Sequence, residues 1–260
     1  MIQTLSHTLA DRPLVVTQEG GFLRLGFNQA ARGNALSAEV VDALLERITA
    51  LHPGGPVHTV VLSGSGKHFC TGFDLANLET ESEASLAMRF IRLEMLLGAL
   101  WHAPVRTIAV AQGKTWGAGA DMFVACDVRM CTQDATFRFP GPAFGVVLGT
   151  GRLFARVGRE AARELTVGAA TFSSDQALAT GLSSRIVASP CVDAAIASLP
   201  AETLEAETSA VLRQITCPDH RDADLAALAR SVCGGQTKAR IIAYRSAQLQ
   251  AVKPLKESSA

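Results

Sequence analysis

An α/β fold followed by a helical C-terminal region is the class this sequence predicts, from three observations. Between Leu14 and Val187, short apolar runs of strand length alternate with stretches of helical period, the pattern of strands gathered into a sheet with helices packed on it. Glycines cluster where these runs turn, at Gly20-Gly21, Gly64-Gly66 and Gly117-Gly119. From about Cys191 the strand-like runs cease and only helical period remains. The expected division is a core over residues 1–190 and a helical region over residues 191–260, in a 260-residue chain long enough to bury a substantial core.

Each element has its own warrant. "LVVTQEGGFLRLGF" predicts two strands joined by a Gly-Gly turn, the second alternating Phe22, Leu25 and Phe27 around Arg24. "SAEVVDALLERITAL" predicts a helix capped by Ser37, with Val40, Val41, Leu44, Leu45 and Ile48 forming one apolar stripe. "VHTVVLSG" is a buried strand that feeds a glycine loop. A long helix is expected from about Ser82 to Trp101, ended by the "HAP" that follows. "TIAVAQG" is a second buried strand leading through a glycine turn into a helix at "GADMFVA". Two further strands follow at "DVRMCT" and "TFRF", then helices at "REAARELTVG" and "SDQALATG", with Gly168 and Gly181 at the C-cap positions. The rest reads as four helical stretches and a frayed tail, "KPLKESSA".

Composition narrows the function classes. Lys and Arg together number 24, as do Asp and Glu, and the sequence pI is about 7.0, so the basic footprint of a general nucleic-acid binder is missing. No apolar run approaches the 18 or so residues of a membrane span, and the N-terminus does not read as a signal peptide; a soluble, cytoplasmic protein is expected. Cys70, Cys126, Cys131, Cys191, Cys217 and Cys233 form no Cys-x-x-Cys or zinc-like spacing. No metal site is expected, and the thiols read as free.

Two loops imitate phosphate motifs. "GSGKHF" and "GAGADM" open as a dinucleotide fingerprint does, but Phe69 and Met122 stand where its third glycine belongs. The Gly-Lys pair of the first loop lacks both the leading glycine of a Walker loop and its Ser or Thr. What survives is physical: each loop follows a buried strand and offers unpaired backbone N–H groups, which at "WGAGAD" are also the first of a helix. Facing each other, two such N–H groups can hold one oxygen that becomes negative during a reaction. Equally, the glycines can serve only to let helix and strand approach.

"NALSAEVVDALLERI", "VVLSGSGKHFCTGFDLANL", "VAQGKTWGAGADMFVACDVRMCTQDATFRFP" and "GTGRL", in this order, resemble the crotonase superfamily of enoyl-CoA hydratases and isomerases over roughly Leu14 to Val187. The resemblance implies a crotonase-like spiral of ββα units followed by helices, assembled as a homotrimer or a hexamer built as a dimer of trimers. It also implies an acyl-CoA thioester substrate, with coenzyme A belonging to the substrate and no separate cofactor. The implied oxyanion donors are the N–H groups of Phe73 and Ala118. Arg32 is placed near the phosphate or pantetheine end of CoA. Cys70, Gly72, Asp74 and Leu75 lie in the segment that frames adenine and pantetheine. Gly117 and Gly119 shape the second loop, and Gly141 stands beside the acyl group. Lys253 and Lys256 are candidates to reach a neighbouring subunit's CoA phosphate. The C-terminal region lacks the acidic-Gly-x-x-Ala-Phe pattern common in the family.

Hydratases of this family use two glutamates. Asp121 occupies the first position and Gly141 the second, while Gly149 occupies the position that is acidic in dienoyl-CoA isomerases. Asp121 is thus the one family-position acid retained, shorter than glutamate by about 1.5 Å against the ~3 Å reach that proton transfer requires. Chemistry with one proton transfer, double-bond migration or decarboxylation, fits this better than hydration. The alternative is a catalytically decayed acyl-CoA-binding or assembly subunit. Among other candidates, His68 reads as loop wall, His102 as a helix cap, Trp116 as a packing residue, and Glu94 as a carboxylate that approaches from another direction.

Overall fold

Gly20 and Gly21, both at positive φ, turn β1 (Leu14–Glu19) back onto β2 (Phe22–Phe27) in the expected antiparallel hairpin. This is a computed structural model that describes residues 12–168, 170–188, 191–200 and 204–252. Lys253, Lys256 and the rest of the tail lie outside the described residues. Beyond the hairpin, β3 (Thr59–Gly64), β4 (Arg106–Ala111), β6 (Val128–Thr132) and β9 (Arg185–Val187) add in parallel, giving the order β1-β2-β3-β4-β6-β9. A smaller sheet has the order β5-β7-β8, from β5 (Lys114–Trp116), β7 (Thr136–Arg138) and β8 (Thr171–Ser173).

The unit repeats along the chain. A first strand enters the large sheet, a second enters the small sheet, and a helix follows: β4, β5 and α3 (Ala118–Ala125), then β6, β7 and α4 (Thr150–Thr166). The run "TIAVAQG" therefore does not lead directly into a helix. Gly113, at φ 55, bends the chain out of the large sheet, and the three residues of β5 intervene, too few to show a strand period in sequence.

Both faces of the large sheet are covered, which explains runs such as "TVVL" that are apolar without alternation. Val60, Leu62, Ala109 and Cys131 face the main core with α1 (Ala38–Thr49), α2 (Glu83–Trp101) and α3. Val61, Ile108, Val110 and Met130 face the other way, against Ala195 of α6 (Val192–Ala197). Ser37 and Ser82 cap α1 and α2, accepting the N–H groups of Val40 and Ser85.

Two helix boundaries differ from expectation. Helical structure begins at Thr150 rather than Arg159, because two helices meet across Gly158 (φ 75, ψ 175) and merge into α4. Gly181 ends α5 (Ser174–Ala179) in the left-handed region, whereas Gly168 follows α4 outside it. The last helices are α7 (Ala206–Thr216), α8 (Arg221–Val232) and α9 (Thr237–Val252). Leu228, Val232 and Ile241 of α8 and α9 form a second apolar cluster with Leu86, Phe90 and Val146, so the C-terminal helices close over α2. Among the described residues no helix is long and apolar enough to cross a membrane.

Candidate active site

The two glycine loops come together. Gly72 is at φ 103, and a Cβ there would lie 2.8 Å from the Trp116 carbonyl oxygen and 3.3 Å from the Ala118 nitrogen, so only glycine permits the approach. Hydrogen bonds from Trp116 N–H to the Cys70 carbonyl (3.0 Å) and from Cys70 N–H to that of Lys114 (3.3 Å) lock the loops in register.

Phe73 is pinned from both sides. Leu36 N–H donates to the Gly72 carbonyl at 2.8 Å and Asp74 N–H donates to the Leu36 carbonyl at 3.1 Å; by strand alternation the Phe73 N–H points the opposite way. Its ring stacks on Phe90 at 4.2 Å between centroids and lies under the Arg89 guanidinium. On the facing loop, Gly117 takes φ 53 and ψ −131, the turn that converts β5 into α3. Ala118 is thereby the first residue of the helix, where an N–H has no intrahelical acceptor. Neither the Phe73 nor the Ala118 N–H donates to any described residue, and both residues line one cavity of about 150 Å³.

Asp121 lines the same cavity and is 7% exposed. Burial pushes its carboxyl well above the usual range, Glu94 adds to the rise, and Arg152 opposes it. That outcome reverses the expectation for a carboxylate in a first helical turn, because burial and the facing Glu94 outweigh the helix start. Behind Asp121, Arg152 pairs with Glu94 and bonds Asp224 at 3.2 Å, while Glu94 also accepts the Gly149 N–H at 3.2 Å. Burial raises the Glu94 carboxyl more than Arg152 lowers it.

Both missing family acids have a steric counterpart. A Cβ on Gly141 would meet the Val146 carbonyl oxygen at 2.8 Å. One on Gly149, itself at φ 62, would meet the Asp121 carboxyl at 2.8 to 3.0 Å; an acid at 149 and Asp121 compete for one space.

Of the residues singled out from sequence, Gly72, Phe73 and Leu75 line the cavity, as do Gly117, Ala118, Asp121 and Gly141. Cys70 and Gly119 stand one layer behind. A Cβ on Gly119 would lie 2.8 Å from Cys70 Sγ, and burial pushes that thiol up to about 12. Arg32 and Asp74 pair with each other at 2.8 Å outside the cavity. His68 accepts the Lys114 N–H, His102 ends α2, and Trp116 donates to Thr136; none of the three reaches the cavity. Sequence reasoning missed Arg152, Asp224 and Tyr244. Arg152 had a signal, a charge inside the family-like "GTGRL" motif; Asp224 and Tyr244 had none, since α8 and α9 reach the site only by tertiary packing. A larger cleft of about 410 Å³ lies on the α6 side of the sheet, and none of its described lining residues is acidic.

The sequence profile of the enoyl-CoA hydratase/isomerase family matches residues 17–238. The chain belongs to that family. Over 186 residues it is 30% identical to an Arabidopsis thaliana peroxisomal Delta(3,5)-Delta(2,4)-dienoyl-CoA isomerase, covering 66% of this chain and 67% of that protein. A Danio rerio mitochondrial enoyl-CoA hydratase domain-containing protein 3 is 29% identical over 76% of this chain and 65% of its own length. The chain thus spans about two thirds of each. Among solved structures, an enoyl-CoA hydratase/isomerase from Bordetella parapertussis superposes with a TM-score of 0.86 at 39% identity, over 90% of this chain and 98% of that one. A Mycobacterium avium subsp. paratuberculosis enoyl-CoA hydratase, 22% identical with a TM-score of 0.78 over 95% of this chain and 99% of that one, shares the fold. Among the described residues no three His, Cys, Asp or Glu side chains converge on a point where a metal ion could sit.

Proposed function

We propose that this enoyl-CoA hydratase/isomerase family member binds an acyl-CoA thioester, with its carbonyl oxygen between the N–H groups of Phe73 and Ala118, and carries out enolate chemistry with Asp121 as the sole carboxyl in contact with the acyl group. One observation carries this reading: two undonated backbone N–H groups and a single buried carboxyl line the same cavity. Such donors, fixed before the reaction, stabilise the negative oxygen of an enolate without reorganisation, and removal of one commonly costs about 10²–10³ in rate. A volume near 150 Å³ suits an acyl group of a few carbons, on the order of one aromatic ring, with CoA outside.

Two-carboxylate hydration is disfavoured, because Gly141 offers no proton and its place has no room for one. Double-bond migration and decarboxylation each fit a single acid or base. In this reading the protein assembles as a trimer or a dimer of trimers, and Val211, Leu212 and Ile215, exposed on α7, are apolar surface that an assembly would cover.

The test is a panel of short acyl-CoA substrates, β,γ-unsaturated, β-carboxylated and crotonyl, assayed with wild type and Asp121→Asn. We expect turnover of one of the first two, lowered at least ~10²-fold by the substitution. Ordinary crotonyl-CoA hydration that survives Asp121→Asn refutes the proposal. Acyl-CoA binding without any Asp121-dependent turnover favours a non-catalytic acyl-CoA-binding subunit.

A further inference from the structure

We infer, resting on the acyl-thioester reading above, that Asp121 enters the reaction as a neutral carboxylic acid, and that Glu94 is the positioning residue that keeps it so. Three carboxyl groups, Asp121 of α3, Glu94 of α2 and Asp224 of α8, surround one guanidinium, Arg152 of α4. Asp121, Glu94 and Arg152 are each under 10% exposed. Two full negative charges in excess cannot be held in such a space, so a proton stays on one of the carboxyls.

The hydrogen bonds decide which one. Glu94 accepts from Arg152 Nη2 and from the Gly149 N–H, and Asp224 accepts from Arg152 Nη1. Asp121 accepts from no described residue, and Arg152 Nε is buried without an acceptor. Of the cavity's three threonines, Thr150 donates to the Leu148 carbonyl and Thr166 to that of Ala162, and the Thr71 hydroxyl makes no hydrogen bond to Asp121. Glu94 of α2 and Arg152 of α4 are the charges that act on Asp121, and Arg245 of α9 lines the same cavity. Glu94, which receives two donors, stays ionised, and Asp121, which receives none, keeps the proton.

A neutral acid gives the first proton rather than taking it. Of the two reactions above, this selects loss of a β-carboxylate. The Cα–carboxylate bond breaks, its electron pair passes into the thioester enolate held by the two N–H groups, carbon dioxide leaves, and Asp121 delivers its proton to Cα. The Asp121 carboxylate then regains a proton from water, returning the site to its starting charge. Double-bond migration would require the ionised form at the outset.

Infrared spectroscopy of the substrate-free, full-length protein tests the charge state without any activity assay. At pH 7 we expect the C=O stretch of a protonated carboxylic acid, absent from Asp121→Asn. In Glu94→Gln the band should titrate away at a pH lower by about one unit, a tenfold change in proton concentration, since a facing negative charge has gone. A band that persists in Asp121→Asn, or no band in wild type, overturns the assignment of the proton. An unmoved midpoint in Glu94→Gln overturns the positioning role. Should Glu94→Gln not fold, the comparison of wild type with Asp121→Asn still decides the main point. If the band behaves as expected and no acyl-CoA reacts, it is the proposed function that has failed and not this inference.

Discussion

Replacing Arg152 by methionine removes the cation that pairs with Glu94 and Asp224 while keeping an unbranched apolar stem in its place. The Arg152 and Glu94 side chains are 4% and 3% exposed, so solvent screening gives no reason to discount the pair. Cutting one partner from a buried ion pair costs about 3–5 kcal/mol, because the other charge is left uncompensated; at about 1.4 kcal/mol per tenfold, the folding equilibrium falls by roughly 10² to a few times 10³. The penalty should shrink as pH falls, since Glu94, whose carboxyl burial already raises, can then take a proton in place of the lost guanidinium. Glu94→Met combined with Arg152→Met should recover most of the loss, the two being directly coupled. Urea unfolding followed by circular dichroism, at pH 7.5 and pH 5 and at one protein concentration, measures all of this. A cost below about 1 kcal/mol, the size of an exposed pair, or a cost independent of pH would refute the electrostatic account of this cluster.

Three further outcomes follow from the same geometry. Asp121→Asn should stabilise the protein increasingly above about pH 4: a carboxyl raised above its ordinary 3.8 binds its proton more tightly when folded, so wild-type stability falls as pH rises through that window. Chemical denaturation across pH should show the slope reduced but not abolished, since Glu94 is raised as well; an unchanged slope contradicts the burial of Asp121. Gly141→Glu should cost about 1–3 kcal/mol through its contact with the Val146 carbonyl and should confer no crotonyl-CoA hydration, so a gain of hydratase rate at unchanged stability sinks that reading. Of the six cysteines, only Cys191 and Cys233 are exposed; a thiol reagent followed by mass spectrometry should label these rapidly, and fast modification of native Cys70 would contradict its burial.

Much of the fold was legible because its signals are local. Ser37 and Ser82 cap helices whose apolar stripes repeat at 3.6 residues, and Gly20-Gly21 turns a hairpin, all without help from distant residues. β5 was not, since three residues carry no period and Gly113 diverts them to another sheet. The start of α4 was hidden by Gly158, where two helices join. At the site, the loops around Phe73 and Ala118 could be read from their glycines and family-like motifs. The surroundings of Asp121 could not, because Glu94, Arg152 and Asp224 are separated from it by 27, 31 and 103 positions in the chain.

The sequence by itself determined the α/β class, the two N–H-bearing loops and the survival of a single family-position acid, since each depends on residue type at short spacing. Only the tertiary structure decided the environment of that acid. Burial, the supply of hydrogen-bond donors and the balance of charge are sums over neighbours brought together from α2, α4 and α8, and no local stretch of sequence contains that sum.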